Sequence, residues 1–512
     1  MGRRQGNRSQ TGFVWIVGAG PGDARLLTLK AKYCLEQADV VIYDRLISPS
    51  ILSLARPDAE FIYAGKTPNG AKIPQDWINK TMIDKAREGR KVVRLKNGDP
   101  FVFGRGAEEA EALYNAGVPF EIVPGVTSVV AVPAYAGIPL TDRRFSSNFA
   151  VLVGKKAESE TSKHPADFQK LAQADTVVAL MAVEELEEVT AQIMAGGKPP
   201  DTPAAIIEWG TTPRQKVVVS TLKNLSRDAR AHDIQPPAVL VVGEVVKFRK
   251  RLAWYEHKPL FGKRILITHS QETEQLTNSL EDLGAEVVRL PVVRFETNDD
   301  KPSPQKAINR TLKGCYEWIV FNSSHGVRTF FESVHRRGFD VRTFPTVKFA
   351  AIGFNAKEAL KQWGIHPDMV FECRSDEGAI EEFVSELAKR GGKNRLLFWD
   401  GDGRWELLKR LERFRTVDRV CAYRAVTNRL SESFLNALLR EPIPIVILTD
   451  LTAAKAFFEV VGVERAKRIL ENAEMVITLE GAEQILQQHS LKPTVTLSSC
   501  DAESILQALA CM

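Results

Sequence analysis

The 512-residue chain has little cysteine and little histidine, six and eight residues respectively. Cys34, Cys315, Cys373, Cys421, Cys500 and Cys511 are scattered, with no C-x-x-C pair. Neither a metal knuckle nor a disulfide framework is therefore expected, and the thiols read as free. Long apolar runs are missing too: none approaches the roughly 18–20 residues that a membrane-crossing helix needs. A dominant charge is also absent. A net charge of +5 on so long a chain is weak evidence for a nucleic-acid partner. It suits a polyanionic small substrate held by a few clustered Lys and Arg. Met1 to Thr11 is basic and polar without the small-residue cleavage site of a secretory signal, so it reads as a loose tail. A cytoplasmic protein without metal, membrane or nucleic-acid partner is the expectation.

What the chain does contain is ordinary globular composition, 44% hydrophobic and 26% charged. Its length allows roughly three or four domains of ~150 residues. The organising stretch is Val14-Trp-Ile-Val-Gly-Ala-Gly-Pro-Gly-Asp23. Phe13 to Val17 reads as a buried strand, the glycines and proline as a tight turn, and Leu26, Leu27, Leu29 and Ala31 as the start of a helix. Val40–Asp44, Glu60–Lys66, Lys91–Leu95 and Phe120–Val123 read as further strands, with helices over Ile78–Glu88 and Glu108–Ala116. Alternation of this kind predicts an α/β fold with a parallel sheet and loops gathered at the strand C-terminal ends. Four of those loops are rich in Gly, Pro, Asp, Thr or Ser.

A second unit begins near Arg143, with strands expected at Ala150–Gly154, Thr176–Met181, Ala204–Glu208, Lys216–Ser220 and Ala238–Val242. Lys247 to Lys258 has little apolar periodicity and reads as a linker. Strand–helix alternation then resumes from Arg264-Ile-Leu-Ile-Thr268, through Glu286–Leu290, Trp318–Phe321, Lys348–Ile352, Arg395–Trp399 and Ile445–Leu448, to Met475–Thr478. This is a second α/β module.

Gly18-x-Gly20 after a strand, with Asp44 ending the next, first suggests a dinucleotide site and an oxidoreductase. Two residues oppose it. Pro21 has no N–H to offer a pyrophosphate, and Asp23 brings a negative charge to the turn. A neutral or cationic ligand suits the loop better.

Five motifs then acquire a common meaning: Gly18-Ala-Gly-Pro-Gly-Asp23, Leu26-Leu-Thr-Leu-Lys-Ala31, Val41-Ile-Tyr-Asp-Arg-Leu46, Gly98-Asp-Pro-Phe-Val-Phe-Gly-Arg-Gly106 and Pro124-Gly-Val-Thr-Ser128. Together they resemble the tetrapyrrole methylases. Pro133-Ala-Tyr-Ala-Gly-Ile-Pro-Leu-Thr141 narrows the likeness to uroporphyrinogen-III C-methyltransferase, and Glu208-Trp-Gly-Thr-Thr-Pro213 and Val241-Val-Gly-Glu-Val-Val246 extend it to about Phe248. The resemblance implies a two-lobed methylase module (12–142 and 143–250), a homodimer formed through it, and S-adenosylmethionine as a methyl donor without phosphates. By its motifs Pro21, Asn97, Gly98, Asp99, Val102, Thr127, Ser128, Met181 and Gly210 would line the donor site. Asn97 and Ala182 stand where glycines are usual. Asp44 and Lys66 would accept and donate protons. Arg45 and Arg105, in a wider basic set with Arg94, Lys96, Arg143 and Arg144, would meet substrate carboxylates.

The back half resembles uroporphyrinogen-III synthase through Arg264-Ile-Leu-Ile-Thr268, Gly284-Ala-Glu286, Trp318-Ile-Val-Phe-Asn-Ser-Ser-His-Gly-Val327, Ala350-Ala-Ile-Gly353 and Tyr423-Arg424. The resemblance implies a module over 262–512 after a 251–261 linker, with one lobe from about 262–297 and 427–512 and the other from about 298–426. Tyr423 would assist loss of a hydroxyl from hydroxymethylbilane, and Ser323 and Ser324 would bind carboxylates. Each has a plainer reading: inter-lobe packing for Tyr423, a helix N-cap for the serines. His269-Ser270 departs from the usual Arg-Pro. Asp400, Asp402 and Asp450 would repel a polyanion if they faced its cleft. A scaffolding role for this module is the non-catalytic alternative.

Overall fold

The computed structural model describes residues 12–65, 73–154, 168–268, 273–298, 301–371, 395–401, 416–479, 482–497 and 502–510, with isolated positions between 382 and 412. Lys66, the 1–11 tail, His269-Ser270 and Asp402 lie outside the described residues.

The chain opens with β1 (Phe13–Gly18), β2 (Val40–Tyr43), β3 (Glu60–Tyr63), β4 (Lys91–Lys96) and β5 (Phe120–Val123). They form one sheet in the order β3-β2-β4-β1-β5, every described pairing parallel. Val14, Ile16, Val40, Ile42 and Val92 are fully buried. Parallel sheets are covered on both faces, which is why these strands read as continuous β-branched runs. The first helix starts later than the leucines suggested. Asp23 caps a 3-10 turn over Ala24–Leu26, and the α-helix runs Leu29–Gln37 with Thr28 Oγ1 accepting the Ala31 N–H at 3.1 Å. Threonine is a preferred N-cap, and it sets this boundary.

A second sheet follows, from β6 (Phe149–Val153), β7 (Thr176–Leu180), β8 (Pro203–Glu208), β9 (Lys216–Thr221) and β10 (Ala238–Val242), in the order β6-β7-β10-β8-β9. Only β6 and β7 pair in parallel; the other three pairings are antiparallel. A short connection joins β8 to β9, and short connections permit only antiparallel neighbours. The stretch read as a linker contains short helical turns at Glu244–Phe248, Arg249–Leu252 and Tyr255–His257. Trp254 and Tyr255 pack their rings on Tyr135 at 5.0 and 4.8 Å.

The back half contributes β11 (Arg264–Thr268), β12 (Glu286–Leu290), β13 (Val293–Thr297), β14 (Trp318–Phe321), β15 (Lys348–Ile352), β16 (Met369–Phe371), β17 (Leu396–Asp400), β18 (Val417–Cys421), β19 (Tyr423–Thr427), β20 (Ile445–Leu448), β21 (Met475–Leu479) and β22 (Val495–Leu497). Two five-stranded sheets result, β12-β11-β20-β21-β22 and β16-β15-β14-β17-β18, with an antiparallel ribbon of β13 and β19. By its internal contacts the chain divides into two compact units. Residues 1–266, 280–289 and 430–444 form the first; residues 267–279, 290–429 and 445–512 form the second. The core of the second centres on Phe321, Phe330, Phe331 and Trp399, all fully buried or nearly so.

Candidate functional site

Three loops at the C-terminal ends of β1, β4 and β5 touch through glycine backbones. A Cβ on Gly18 would lie 2.6 Å from the Gly125 Cα, and one on Gly125 would lie 2.3 Å from the Gly98 carbonyl oxygen. Gly98 donates to the Gly20 carbonyl at 2.7 Å and accepts from the Gly20 N–H at 3.2 Å. Asp99 fastens the set, its carboxylate accepting the Phe101 N–H at 2.8 Å and the Gly125 N–H at 3.1 Å. Thr127 caps the next helix, which Ser128 begins. The second lobe closes on the same place. A Cβ on Gly22 would sit 2.6 Å from Thr212 Cγ2, and one on Gly210 2.3 Å from Val132 Cγ1. Ala182 packs its Cα where a Cβ on Gly154 would come within 2.5 Å, so that close approach is kept by the glycine opposite.

Strain collects on the loops of both lobes. Seven non-glycine residues among those described have positive φ, and five are Phe103, Arg105, Met181, Trp209 and Thr211. Each costs on the order of 1–3 kcal/mol and persists only where the surroundings over-determine it, most often at a functional site. Met181 is 52% exposed although it follows a buried strand, and Val102 is 37% exposed. Pro21, Asn97 and Asp99 are half-buried. Of the nine residues expected at a donor site, Pro21, Asn97, Gly98, Asp99, Val102, Thr127 and Ser128 follow β1, β4 and β5, Gly210 packs toward Val132 of the next helix, and Met181 follows β7.

Asp23 behaves differently from its sequence reading. Its carboxylate accepts the Arg25 N–H at 2.8 Å and the Tyr135 hydroxyl at 2.7 Å. Its charge is taken up by a helical turn and a tyrosine, whose own hydroxyl is pushed well above the ordinary range by burial and by that carboxylate. Beside this capping role, the Asp23 carboxylate and Pro21 both still oppose a phosphate at the turn.

Asp44 stands at the end of β2 with its side chain 29% exposed, 2.6 Å from the Arg94 guanidinium. Arg94 also reaches Glu109 at 2.9 Å, and Lys96 reaches the same carboxylate at 3.0 Å. Arg94 and Lys96 were expected among the carboxylate binders, but they are 2% and 3% exposed and engaged below the surface. Their geometry assigns them to Glu109 and Asp44. Burial alone would lower Arg94, yet the two carboxylates outweigh it and raise the guanidinium above its ordinary value. Lys96 goes the other way, lowered first by burial and then by the charge of Arg94. Arg45, Arg105 and Arg143 remain exposed. Arg105 makes a two-pronged ion pair with Glu108 at 2.9 and 2.6 Å. Arg144 is paired with Asp142 at 2.9 Å and lies over the Phe248 ring. Glu109 escaped the sequence reading. Its signal was two cations two residues apart on a strand that parallel pairing would bury.

In the second unit Tyr423 is 7% exposed and buried in a hydroxyl–carboxylate cluster. Its hydroxyl donates to Asp400 Oδ1 at 2.8 Å, and Ser323 Oγ donates to the same oxygen at 2.9 Å. Ser323 Oγ and the Tyr423 hydroxyl are 2.7 Å apart. Ser323 is also the N-cap of the helix Ser324–His335, accepting the Gly326 N–H at 3.0 Å. Half-buried Ser324 opens that helix. His325 stacks on Phe295 at 4.4 Å and meets the edge of Tyr423 at 4.5 Å. Asp400 is turned onto the two hydroxyls, and Asp450 caps the helix Leu451–Val461 through the Ala453 N–H at 2.8 Å.

Among the described residues no group of three His, Cys, Asp or Glu side chains could hold a metal ion, and no helix is long and apolar enough to cross a membrane. The family of tetrapyrrole (corrin/porphyrin) methylases matches residues 14–226, and uroporphyrinogen-III synthase HemD matches residues 274–507. A uroporphyrinogen-III C-methyltransferase of Bacillus subtilis is 39% identical over 366 residues, 70% of this chain and 74% of that protein. A porphyrin biosynthesis protein HemD of Ruminiclostridium josui is 39% identical over 388 residues, 74% of this chain and 75% of that one. A crystal structure of uroporphyrin-III C-methyl transferase from Thermus thermophilus, complexed with S-adenyl homocysteine, is 38% identical, covering 46% of this chain and 99% of that chain with a TM-score of 0.40. The chain belongs to the uroporphyrinogen-III C-methyltransferases of the tetrapyrrole methylase family, with a uroporphyrinogen-III synthase HemD module following the methylase in the same sequence.

Proposed function

We propose that the front half methylates uroporphyrinogen III at two ring carbons to give precorrin-2, and that the back half closes hydroxymethylbilane to uroporphyrinogen III. The observation that carries the first assignment is the meeting of loops from both lobes at strained, glycine-packed backbone. Such a cradle offers backbone groups and apolar side chains, with no N–H at Pro21. It suits a sulfonium better than a phosphate. When bound there, S-adenosylmethionine supplies an electrophilic methyl group. Pro21, Asn97, Gly98, Asp99, Val102, Thr127, Ser128, Met181 and Gly210 would hold it.

The protein's part is placement. A porphyrinogen carbon is electron-rich, so alignment against the methyl group removes much of the barrier. The new C–C bond leaves a proton to be lost or shifted, and Asp44 is the acceptor we assign, held by Arg94 at 2.6 Å. Lys66 is the assigned donor. The exposed guanidinium groups of Arg45 and Arg105 would bind substrate carboxylates. In the back half Tyr423 would release its proton to the departing hydroxyl, with Ser323 and Ser324 presenting donors to the carboxylates.

This reading takes residues 12–142 and 143–250 as the methylase lobes and 262–512 as the synthase module. It further takes the protein to be cytoplasmic, homodimeric through the methylase, and without nucleic-acid partner. The test is to incubate the protein with hydroxymethylbilane, with and without methyl donor. Dimethylated uroporphyrinogen III is expected with donor, and the type-III isomer without it. A type-I product alone would overturn the synthase assignment. No dimethylated product from supplied uroporphyrinogen III would overturn the methylase assignment.

A further inference from the structure

We infer that Glu109 is a positioning residue for methyl transfer, holding the acid/base side and the donor side of the site together through one buried carboxylate. The inference rests on the methyltransferase reading above. Glu109 is fully buried, on the helix Gly106–Asn115 that follows the strained loop of Phe103 and Arg105. Three donors from two segments converge on its Oε1: Arg94 Nε at 2.9 Å and Lys96 Nζ at 3.1 Å from β4, and Gln75 Nε2 at 3.1 Å. Oε2 lies 3.0 Å from the Lys96 ammonium but has no donor aligned to it, so one oxygen takes all three bonds.

The two donors on β4 lead to different parts of the site. Arg94 passes its other nitrogen to Asp44 at 2.6 Å. The Lys96 carbonyl accepts the Ala19 N–H at 2.8 Å, and the chain then turns directly into Gly98-Asp99. Gln75 begins the helix Gln75–Arg87 and brings a second segment to the same oxygen. Arg94 and Lys96 lie two residues apart on a central strand, hence on one face, where two buried cations would be prohibitively costly alone. Glu109 meets that cost. A purely structural counter-ion would need only proximity to the cations. Glu109 instead ties β4, which carries both the Arg94–Asp44 pair and the entry to the Gly98-Asp99 loop, to the helix Gln75–Arg87, so a change in its shape should displace Asp44 relative to the donor loops.

The experiment is steady-state methylation of uroporphyrinogen III by the full chain carrying Glu109→Gln, with S-adenosylhomocysteine binding measured by calorimetry. The expected result is a kcat lowered by about tenfold or more with KM for both substrates within about twofold, since misplacement by about an ångström affects the reacting step most. Removing the unbalanced cation as well, in Glu109→Gln with Lys96→Met, should recover part of kcat through coupling between the two sites. Wild-type kcat in Glu109→Gln would overturn the inference, as would loss of S-adenosylhomocysteine binding in parallel with kcat. If Glu109→Gln fails to fold, Gln75→Leu removes only the neutral donor. A kcat reduced by about threefold at unchanged KM then supports the inference, and unchanged kcat overturns it. A wild-type protein that forms no methylated product would instead sink the methyltransferase reading itself.

Discussion

Two buried carboxylates, Glu109 in the first unit and Asp400 in the second, solve the same problem by different chemistry. Glu109 is fully buried and answered by two cations, Arg94 and Lys96. Asp400 is 5% exposed and accepts from two hydroxyls, Ser323 and Tyr423. The ionic chain runs on to Asp44, so its parts are fixed by charge and cannot be removed singly without stranding a partner. The hydroxyl cluster is softer. A lost O–H leaves a carboxylate with another donor. The first arrangement ties each position to its counter-charge, and the second tolerates the loss of one donor.

The largest effect should come from the exposed end of the ionic chain. Asp44→Asn is expected to lower methylation kcat by about 100-fold or more with S-adenosylhomocysteine binding retained, which product assay and calorimetry would show. Full methylation would remove Asp44 from the chemistry. Next in size, Glu109→Ala strands Lys96 and leaves Arg94 with Asp44 alone, and should cost about 3–5 kcal/mol in denaturant unfolding. A loss near that of a surface substitution would mean that water or a rearranged partner meets the cations. In the second unit, Tyr423→Phe removes one hydroxyl and should cost only about 1–2 kcal/mol. It should slow cyclisation of hydroxymethylbilane while leaving methylation of supplied uroporphyrinogen III unchanged; equal cyclisation rates would reduce Tyr423 to packing.

Smaller still, Arg105→Ala breaks an exposed pair with Glu108 and should change stability by less than about 1 kcal/mol. Its measurable consequence is a raised KM for the tetrapyrrole. A fifth check concerns pH. Burial holds Lys96 below the ordinary lysine range, so at alkaline pH the folded state sheds this proton before the unfolded chain does. The unfolded state then binds more protons, and stability rises with pH across that window. Lys96→Met should flatten the rise; an identical stability–pH curve would mean that Lys96 stays charged within the pair.

Much of the fold was legible from residue order because the strands are strongly periodic. β5, β10, β11, β12, β14, β15 and β20 occupy the residues read for them, and most others differ by one or two at an end. The strands that escaped notice, β13, β16, β18, β19 and β22, are short or half-exposed, and their pairing comes from distant chain. Val417-Asp-Arg-Val-Cys421 has no apolar alternation to mark it; it is a strand because β17 supplies a parallel edge.

The sequence alone determined which residues gather at the strand ends, because glycine, proline and aspartate punctuate an α/β alternation wherever they fall. Pro21 turned the first loop away from phosphate, and the ordered motifs pointed to the methylase family. Tertiary structure decided what those residues face. Asp23 proved to be a helix cap, and Arg94 and Lys96 proved to be interior counter-ions. Ser323 and Asp400 proved to be partners of Tyr423. The physical reason is that a side chain's charge and hydrogen-bonding capacity belong to the residue, whereas its partner is chosen by packing between segments far apart in sequence. Glu109 shows the difference most plainly: one glutamate in a helix, whose partners come from β4 and from the start of the helix Gln75–Arg87.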